Sequence, residues 1–426
     1  AWIVIDADST SSSETHLIPA AHPHTDPILV RPRVDDLEYH LDHWGDRFVV
    51  LTNDAAPDFR LATAPESSPG DWTPLIPHVV GRRISRVECF RDFVVLHEWS
   101  LAQPRLRILF RDRREFVLDI SDEPHNVELD SNPEWTSTTV RYVTESLVSP
   151  LSVWDIDLRT SERTLLKRIP TPHVNLDDYE SVRLWAEATD GTQVPYDIVR
   201  LRSSSSMTSE PPCLVYAYGS YEVSMPPWFS VARLSLVDRG WTWVLAHPRG
   251  GGELGRQWYF DGRLLNKRNT FEDVNAVADD VVSRSLADPE RLAIRGGSAG
   301  GLMVGACINL RPDLWHAAVA EVPFVDVVTT MSDPTMPLTV NEWEEWGDPR
   351  REPFASYMAS YSPYDNLTER EYPAILATAG LNDPRVAYHE PAKWVARIRS
   401  LRTNDAPLLL RTELGAGHGG PSGRYD

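Results

Sequence analysis

Apolar residues in the first 170 or so positions come in short β-branched and aromatic runs between turn-forming clusters, with almost none of the three-and-four spacing of a helix. That pattern predicts an all-β array. Two runs match closely, Asp46-Arg47-Phe48-Val49-Val50-Leu51 and Arg91-Asp92-Phe93-Val94-Val95-Leu96, which start 45 residues apart (46 to 91). A weaker third copy lies at Val140-Arg141-Tyr142-Val143-Thr144. A period of this size is that of one four-stranded propeller blade. The β pattern ends near Ile169-Pro170-Thr171-Pro172. Beyond it, Val182–Ala186 and Val194–Val199 around Asp190-Gly191 predict a hairpin, and Ser203–Ser209 a polar loop.

From Cys213 onward the pattern changes. Strand candidates Leu214–Tyr218 and Trp241–Ala246 alternate with helix candidates near Phe229–Asp238 and Phe271–Ser285. Alternation of this kind predicts a mostly parallel sheet with helices on both faces. The expected domains are therefore a β array over 1–171 and an α/β domain over 172–426. In sheets of the second kind, ligands bind at the carboxyl ends of the strands.

The 426 residues carry a net charge of −20 with a pI near 5.1, which argues against nucleic acid or an anionic membrane surface as a partner. Three scattered cysteines, Cys89, Cys213 and Cys307, each in an apolar run, suggest neither a disulfide framework nor a zinc site. There is no apolar run of about 18 residues and no signal-peptide pattern, so the expectation is a cytoplasmic chain. The cluster His22-x-His24-x-Asp26 has ligand types but lies among prolines, and is read as a polar turn rather than a metal site. No metal or other cofactor is expected.

The strongest chemical signal is Ile294-Arg295-Gly296-Gly297-Ser298-Ala299-Gly300-Gly301, where an apolar strand stops at glycines and a helix-like stretch, Leu302–Leu310, begins. Gly-x-Ser-x-Gly in that context is a nucleophile elbow: the serine is presented on a strained turn, and the next N–H, that of Ala299, faces a developing oxyanion. A serine needs a base and the base an orienting carboxylate. Downstream, the strand candidate Ala374–Thr378 leads into Gly380-Leu381-Asn382-Asp383-Pro384, and Leu408–Thr412 leads into Gly415-Ala416-Gly417-His418-Gly419-Gly420. A histidine between glycines just past a buried strand is poorly explained as a core residue. Asp383 alone reads more readily as a turn-former before proline than as a catalytic acid. The chain order Ser298, Asp383, His418 is that of the α/β-hydrolases.

Taken with His247-Pro248-Arg249-Gly250-Gly251-Gly252-Glu253-Leu254-Gly255, Tyr361-Ser362-Pro363-Tyr364-Asp365-Asn366, Val322–Val328 and Glu390–Val395, these motifs resemble the prolyl oligopeptidase family of serine peptidases. Within it, the chain is most similar to the oligopeptidase B branch, over its whole length. The resemblance implies an α/β-hydrolase domain preceded by part of a seven-bladed propeller, with the chain looking shortened at both ends. It also implies a catalytic triad of Ser298, Asp383 and His418, with the hydroxyl of Tyr218 joining the Ala299 N–H as an oxyanion donor. Tyr221 and Phe324 would form pocket walls, and Arg385 would bind a substrate carbonyl.

In Asn341-Glu342-Trp343-Glu344-Glu345-Trp346, alternate residues of an extended stretch would share a side, so Glu342 and Glu344 could meet one cation. The resemblance assigns that pair to a substrate Lys or Arg, whereas composition alone reads it as a solvated acidic loop. One departure bears on specificity. Glu222 stands where the family's bacterial pattern has glycine, and Pro226 and Trp228 where it has two aspartates that read a second basic residue. The expected function is a serine oligopeptidase acting on short basic peptides. Alternatives are a prolyl-specific peptidase, an esterase, or an inactive fragment serving as a binding scaffold.

Overall fold

The structure is a computed structural model, and it describes residues 1–203 and 210–420. Most of the polar loop expected at Ser203–Ser209 lies outside the described residues. The chain forms two compact units. The first comprises Ala1–Pro172 with two short segments, Pro226–Phe229 and Glu253–Gln257, and the second comprises the remainder.

The first unit is built of antiparallel sheets in chain order. A three-stranded sheet contains β1 (Trp2–Asp8), β2 (Ser13–Pro19) and β3 (Ile28–Leu29). Three four-stranded sheets follow: β4 (Tyr39–His43) to β7 (Thr73–Ile76), β8 (Arg82–Cys89) to β11 (Glu115–Val117), and β12 (His125–Leu129) to β15 (Glu162–Arg168). The matching runs in the sequence fall on the second strand of each four-stranded sheet: β5 (Arg47–Thr52), β9 (Phe93–Ser100) and β13 (Thr139–Ser146).

The reason those strands are apolar at consecutive positions lies in the packing. Successive side chains of a strand point to opposite faces. In β5, Phe48 and Val50 pack with Leu17 and Tyr39, while Val49 and Leu51 pack with Val94 and Leu96 of β9. The other face of β9, Phe93 and Val95, packs with Val127, Val140 and Tyr142. Strands β5 and β9 thus each serve two cores, and each of their large side chains contributes on the order of 1.5–3 kcal/mol by leaving water. His22, His24 and Asp26 lie in an exposed turn between β2 and β3.

The second unit holds an eight-stranded sheet in the order β16-β17-β19-β18-β20-β21-β22-β23. Strands β16 (Tyr179–Glu187) and β17 (Gln193–Leu201) form the expected antiparallel hairpin, and β17 runs antiparallel to β19 (Thr242–Ala246). From β19 on, neighbours are parallel: β18 (Cys213–Tyr216), β20 (Leu292–Gly297), β21 (Ala317–Glu321), β22 (Ala374–Gly380) and β23 (Leu408–Glu413). The helices are α1 (Val231–Val237), α2 (Arg256–Phe260), α3 (Arg268–Ser283), α4 (Ala299–Leu310), α5 (Val327–Ser332), α6 (Thr339–Trp346), α7 (Phe354–Ala359) and α8 (His389–Leu401). Strand β18 has β19 on one side and β20 on the other, so the winding direction reverses there. Such a reversal opens a crevice beyond the carboxyl ends of the two diverging strands. Tyr218 follows β18 and Ser298 follows β20 at that crevice. No described helix is long and apolar enough to cross a membrane.

One expectation fails here. The segment bearing Glu342 and Glu344 is helical, not extended, since both residues lie in α6. Two positions along a helix turn through about 200°, so the two side chains leave on opposite sides rather than together.

Candidate active site

Ser298 sits between β20 and α4 with φ 58 and ψ −118, outside the regions an L-residue ordinarily occupies. Strain of this kind costs on the order of 1–3 kcal/mol and persists only where neighbours hold it. Here its N–H donates to the Glu321 carbonyl at 2.8 Å, and its carbonyl accepts from Gly301 at 2.9 Å, Leu302 at 3.1 Å and Phe324 at 3.2 Å. The turn is also too tight for a side chain before the serine, because a Cβ on Gly296 would lie 2.4 Å from the Gly300 carbonyl oxygen. Ala299 heads the first turn of α4, where N–H groups have no intrahelical acceptor and point toward the serine.

Asp383 and His418 come together from the loops after β22 and β23. His418 Nδ1 is 2.7 Å from Asp383 Oδ2, and the Asp383 side chain is fully buried while that of His418 is one-fifth exposed. The other carboxylate oxygen accepts the N–H groups of Arg385 at 2.8 Å and Val386 at 3.0 Å. The two loops are fastened by Leu381 N–H to the Glu413 carbonyl and Asn382 N–H to the Ala416 carbonyl, both at 3.0 Å. They approach so closely that a Cβ on Gly380 would meet the Gly417 carbonyl oxygen at 2.4 Å. An Nδ1 proton held on Asp383 leaves Nε2 as the acceptor of the ring. Among the described residues no hydrogen bond joins Nε2 to Ser298 Oγ, a contact that in ligand-free sites commonly closes only on substrate.

A cavity of ≈ 460 Å³ opens beside Ser298 and Ala299, and Tyr218, Tyr221, Phe324, Glu342, Trp346 and Arg385 are in its lining. The Tyr218 hydroxyl is pushed up to about 12, by burial first and then by the Glu345 and Glu342 carboxylates, so it is a protonated donor at neutral pH. Trp346 backs the cavity, with the Tyr221 ring edge-on at 5.7 Å and the Phe324 ring tilted at 5.5 Å. Glu342 Oε2 accepts from the Tyr221 hydroxyl at 2.6 Å and Trp346 Nε1 at 3.0 Å. Both donors fall on one oxygen, and Oε1 has no hydrogen-bond partner among the described residues. Glu344 is exposed and is not among the residues lining the cavity. The expected pair of carboxylates is therefore a single one, for the helical reason given above.

Two charged residues that sequence reasoning passed over are fully enclosed beside this cavity. Lys267 is 0% exposed and donates to the Gly219 carbonyl at 2.6 Å and to Ser220 Oγ at 2.7 Å. Glu345, 3% exposed, lies 3.7 Å from it and accepts from the Tyr259 hydroxyl at 2.7 Å and the Tyr221 N–H at 3.2 Å. The signal available in the sequence is Glu345 itself, the third acid of a stretch in which alternate spacing picks out Glu342 and Glu344. Position 222, where glycine was expected, has φ 60, the left-handed conformation that glycine adopts freely, and Glu222 bears it as strain.

The model of the prolyl oligopeptidase N-terminal β-propeller domain matches residues 1–168, and that of the prolyl oligopeptidase family matches residues 227–426. Dipeptidyl aminopeptidase BI of Pseudoxanthomonas mexicana is 43% identical over all of this chain and 59% of its own length. Protease 2 of Moraxella lacunata is 38% identical, again over all of this chain, and 61% of its own length is covered. Among solved structures, oligopeptidase B from Leishmania major superposes with a TM-score of 0.92 at 37% identity, covering 98% of this chain and 60% of that one. Oligopeptidase B from Trypanosoma brucei, solved with covalently bound antipain, gives 0.92 at 38% identity, covering 98% of this chain and 61% of that one. The chain thus spans about three-fifths of the length of these relatives. With a propeller match on one half and a peptidase match on the other, the chain belongs to the prolyl oligopeptidase family.

Proposed function

We propose that this chain carries the catalytic site of a serine oligopeptidase that cleaves peptides after Lys or Arg. The observation that carries the reading is Glu342, which lines the cavity shared with Ser298 and Tyr218 and whose Oε2 is anchored by two donors while Oε1 has no hydrogen-bond partner among the described residues. A carboxylate fixed on one oxygen and unoccupied on the other suits a substrate ammonium or guanidinium. The aromatic rings around it suit the aliphatic stem and the cation's flat face.

In this mechanism Ser298 Oγ attacks the scissile carbonyl carbon as His418 Nε2 takes its proton, forming a tetrahedral intermediate. Its oxyanion receives hydrogen bonds from the Ala299 N–H and the Tyr218 O–H. His418 then returns the proton to the leaving amine, and water repeats the sequence on the acyl-enzyme. Asp383 holds the imidazole tautomer and offsets its positive charge; with two backbone donors on its other oxygen, it stays oriented through the cycle. Arg385, a residue of the cavity lining, would bind a substrate carbonyl.

The three cysteines are unpaired, which suits the reducing cytoplasm, and that location belongs to the proposal. The test is covalent labelling with a fluorophosphonate, followed by kcat/KM on matched Arg, Lys, Pro and Ala substrates. Labelling of Ser298 with preference for Arg and Lys is expected. An unlabelled chain would favour the scaffold reading, and a preference for Pro or for neutral esters would favour the other two alternatives.

A further inference from the structure

Tyr218 lies in the turn beyond the end of β18 (Cys213–Tyr216), yet a hydroxyl that must meet an oxyanion has to be held to a fraction of an ångström. Three observations show what holds it. Gly219 has φ 69, and a Cβ there would meet Thr270 Cγ2 at 2.5 Å and Pro248 Cγ at 2.9 Å. The turn is thus pressed into a socket made by the His247–Gly252 motif and the start of α3, where Thr270 also donates to the Arg249 carbonyl at 2.6 Å. Across the turn, the ammonium of Lys267 holds the Gly219 carbonyl and the Ser220 hydroxyl. Glu345 holds the Tyr221 N–H and belongs to α6, the helix that bears Glu342.

We propose that Lys267 and Glu345 are a positioning pair that locks the turn bearing the oxyanion-binding Tyr218 hydroxyl into register with the site. The inference rests on the reading of Tyr218 as an oxyanion donor. The ammonium lies 4.9 Å over the Trp346 ring and 3.7 Å from Glu345, so one buried cation spans the turn, the cavity floor and α6. Burial lowers Lys267 to about 8 against the opposing pull of Glu345, and burial raises Glu345. A buried pair of this type is a poor source of stability, because desolvation offsets most of the attraction. What the pair supplies at this place is orientation. Neither residue touches substrate in this reading.

The test is a double-mutant cycle in the 426-residue chain, with rates expressed per Ser298 that a fluorophosphonate can label, so that misfolded molecules drop out. Lys267→Met should lower kcat toward the roughly 10²-fold loss that follows removal of an oxyanion donor, with KM for an Arg substrate changed by less than about threefold. In a Tyr218→Phe background the same substitution should add little, because its effect passes through that hydroxyl. Glu345→Gln, which keeps an acceptor for Tyr221 and Tyr259, should lie between parent and Lys267→Met. A full additional loss in the Tyr218→Phe background, or an unchanged kcat in Lys267→Met, would overturn the proposal. A second arm needs no activity. Amide exchange at Tyr221 and Glu222 should speed in Lys267→Met while that of Ser298 and Leu302 does not, and uniform exchange throughout would refute the brace. Should the parent hydrolyse no Arg or Lys substrate, the functional reading fails and the exchange arm still decides on the brace.

Discussion

The helical placement of Glu342 and Glu344 makes a discriminating prediction, because an extended segment would make the two carboxylates equivalent. Of the two acids only Glu342 lines the cavity, with Oε2 bound to Tyr221 and Trp346. Truncating one partner of a buried hydrogen-bonded charge pair typically costs ~2–5 kcal/mol. Glu342 is only half-buried and its cavity is open to solvent, so the lower part of that range applies. At about 1.4 kcal/mol per decade this is roughly a 30- to 300-fold fall in kcat/KM for Arg and Lys substrates of Glu342→Gln. Neutral Ala substrates should lose little, because Ser298, His418 and Tyr218 are untouched and glutamine preserves an acceptor for the two neutral donors. Glu344→Gln, on an exposed side chain, should stay within about twofold of parent, as surface charge changes do. The double variant should match Glu342→Gln alone. The assay is kcat/KM on matched peptides differing only at the residue before the scissile bond. Equal losses in the two single variants, or a Glu342→Gln loss shared by the Ala substrate, would refute the assignment.

Ser298→Ala and His418→Ala should each abolish peptide hydrolysis to a similar extent, since triad members act as a unit; retention of most activity in either would refute the triad. Gly296→Ala should lose both labelling and stability, because the added methyl meets backbone at 2.4 Å and not a movable side chain; an unchanged Tm would contradict the elbow geometry. Burial lifts the Glu390 carboxyl from 4.5 to about 7, so between those values the folded chain keeps a proton that the unfolded chain has released. Stability therefore falls as pH rises through that window, by about 3 kcal/mol in all. The Tm of Glu390→Gln minus that of the parent should accordingly increase from pH 5 to pH 8, and a flat or falling difference in calorimetry would refute the burial argument.

How much of this was legible in the sequence depends on how many partners each segment serves. The strands β5 and β9 stood out because each faces two cores and so must be apolar at consecutive positions, whereas β13, which gives Val140 and Tyr142 to one core with Arg141 exposed between them, left only a weak copy of the pattern. The elbow was legible because a strained serine needs glycines at fixed offsets. Helix α6 was not. It is eight residues long, starts after Leu338 with φ 70, and has no side-chain cap, so neither length nor end signals mark it. Its acids also divide among three environments, with Glu342 at the cavity, Glu344 in solvent and Glu345 enclosed, which no simple periodicity encodes. In α8 the buried positions Pro391, Trp394, Val395 and Ile398 do follow helical spacing, but a buried Glu390 and a proline in the first turn blur the pattern.

Glu390 also explains why stretches with no chemistry of their own carry so much of the family resemblance. Its Oε2 accepts the N–H groups of Val325 at 2.9 Å and Asp326 at 3.0 Å, its Oε1 accepts from the Thr330 hydroxyl at 2.7 Å, and Lys393 one turn on pairs with Asp326. The Val322–Val328 and Glu390–Val395 motifs are therefore two halves of one clasp. One half leads directly into the site, since the Phe324 N–H holds the Ser298 carbonyl and the Phe324 ring packs on Trp346. The other half begins α8, immediately after the loop in which Asp383 accepts the Arg385 and Val386 N–H groups. Serine, acid and pocket wall thus come from β20, β22 and β21 respectively, yet share this clasp. A misplacement of about 1 Å between reacting groups costs on the order of 10²-fold in rate. Side chains that touch no substrate consequently bear as directly on turnover as those that do.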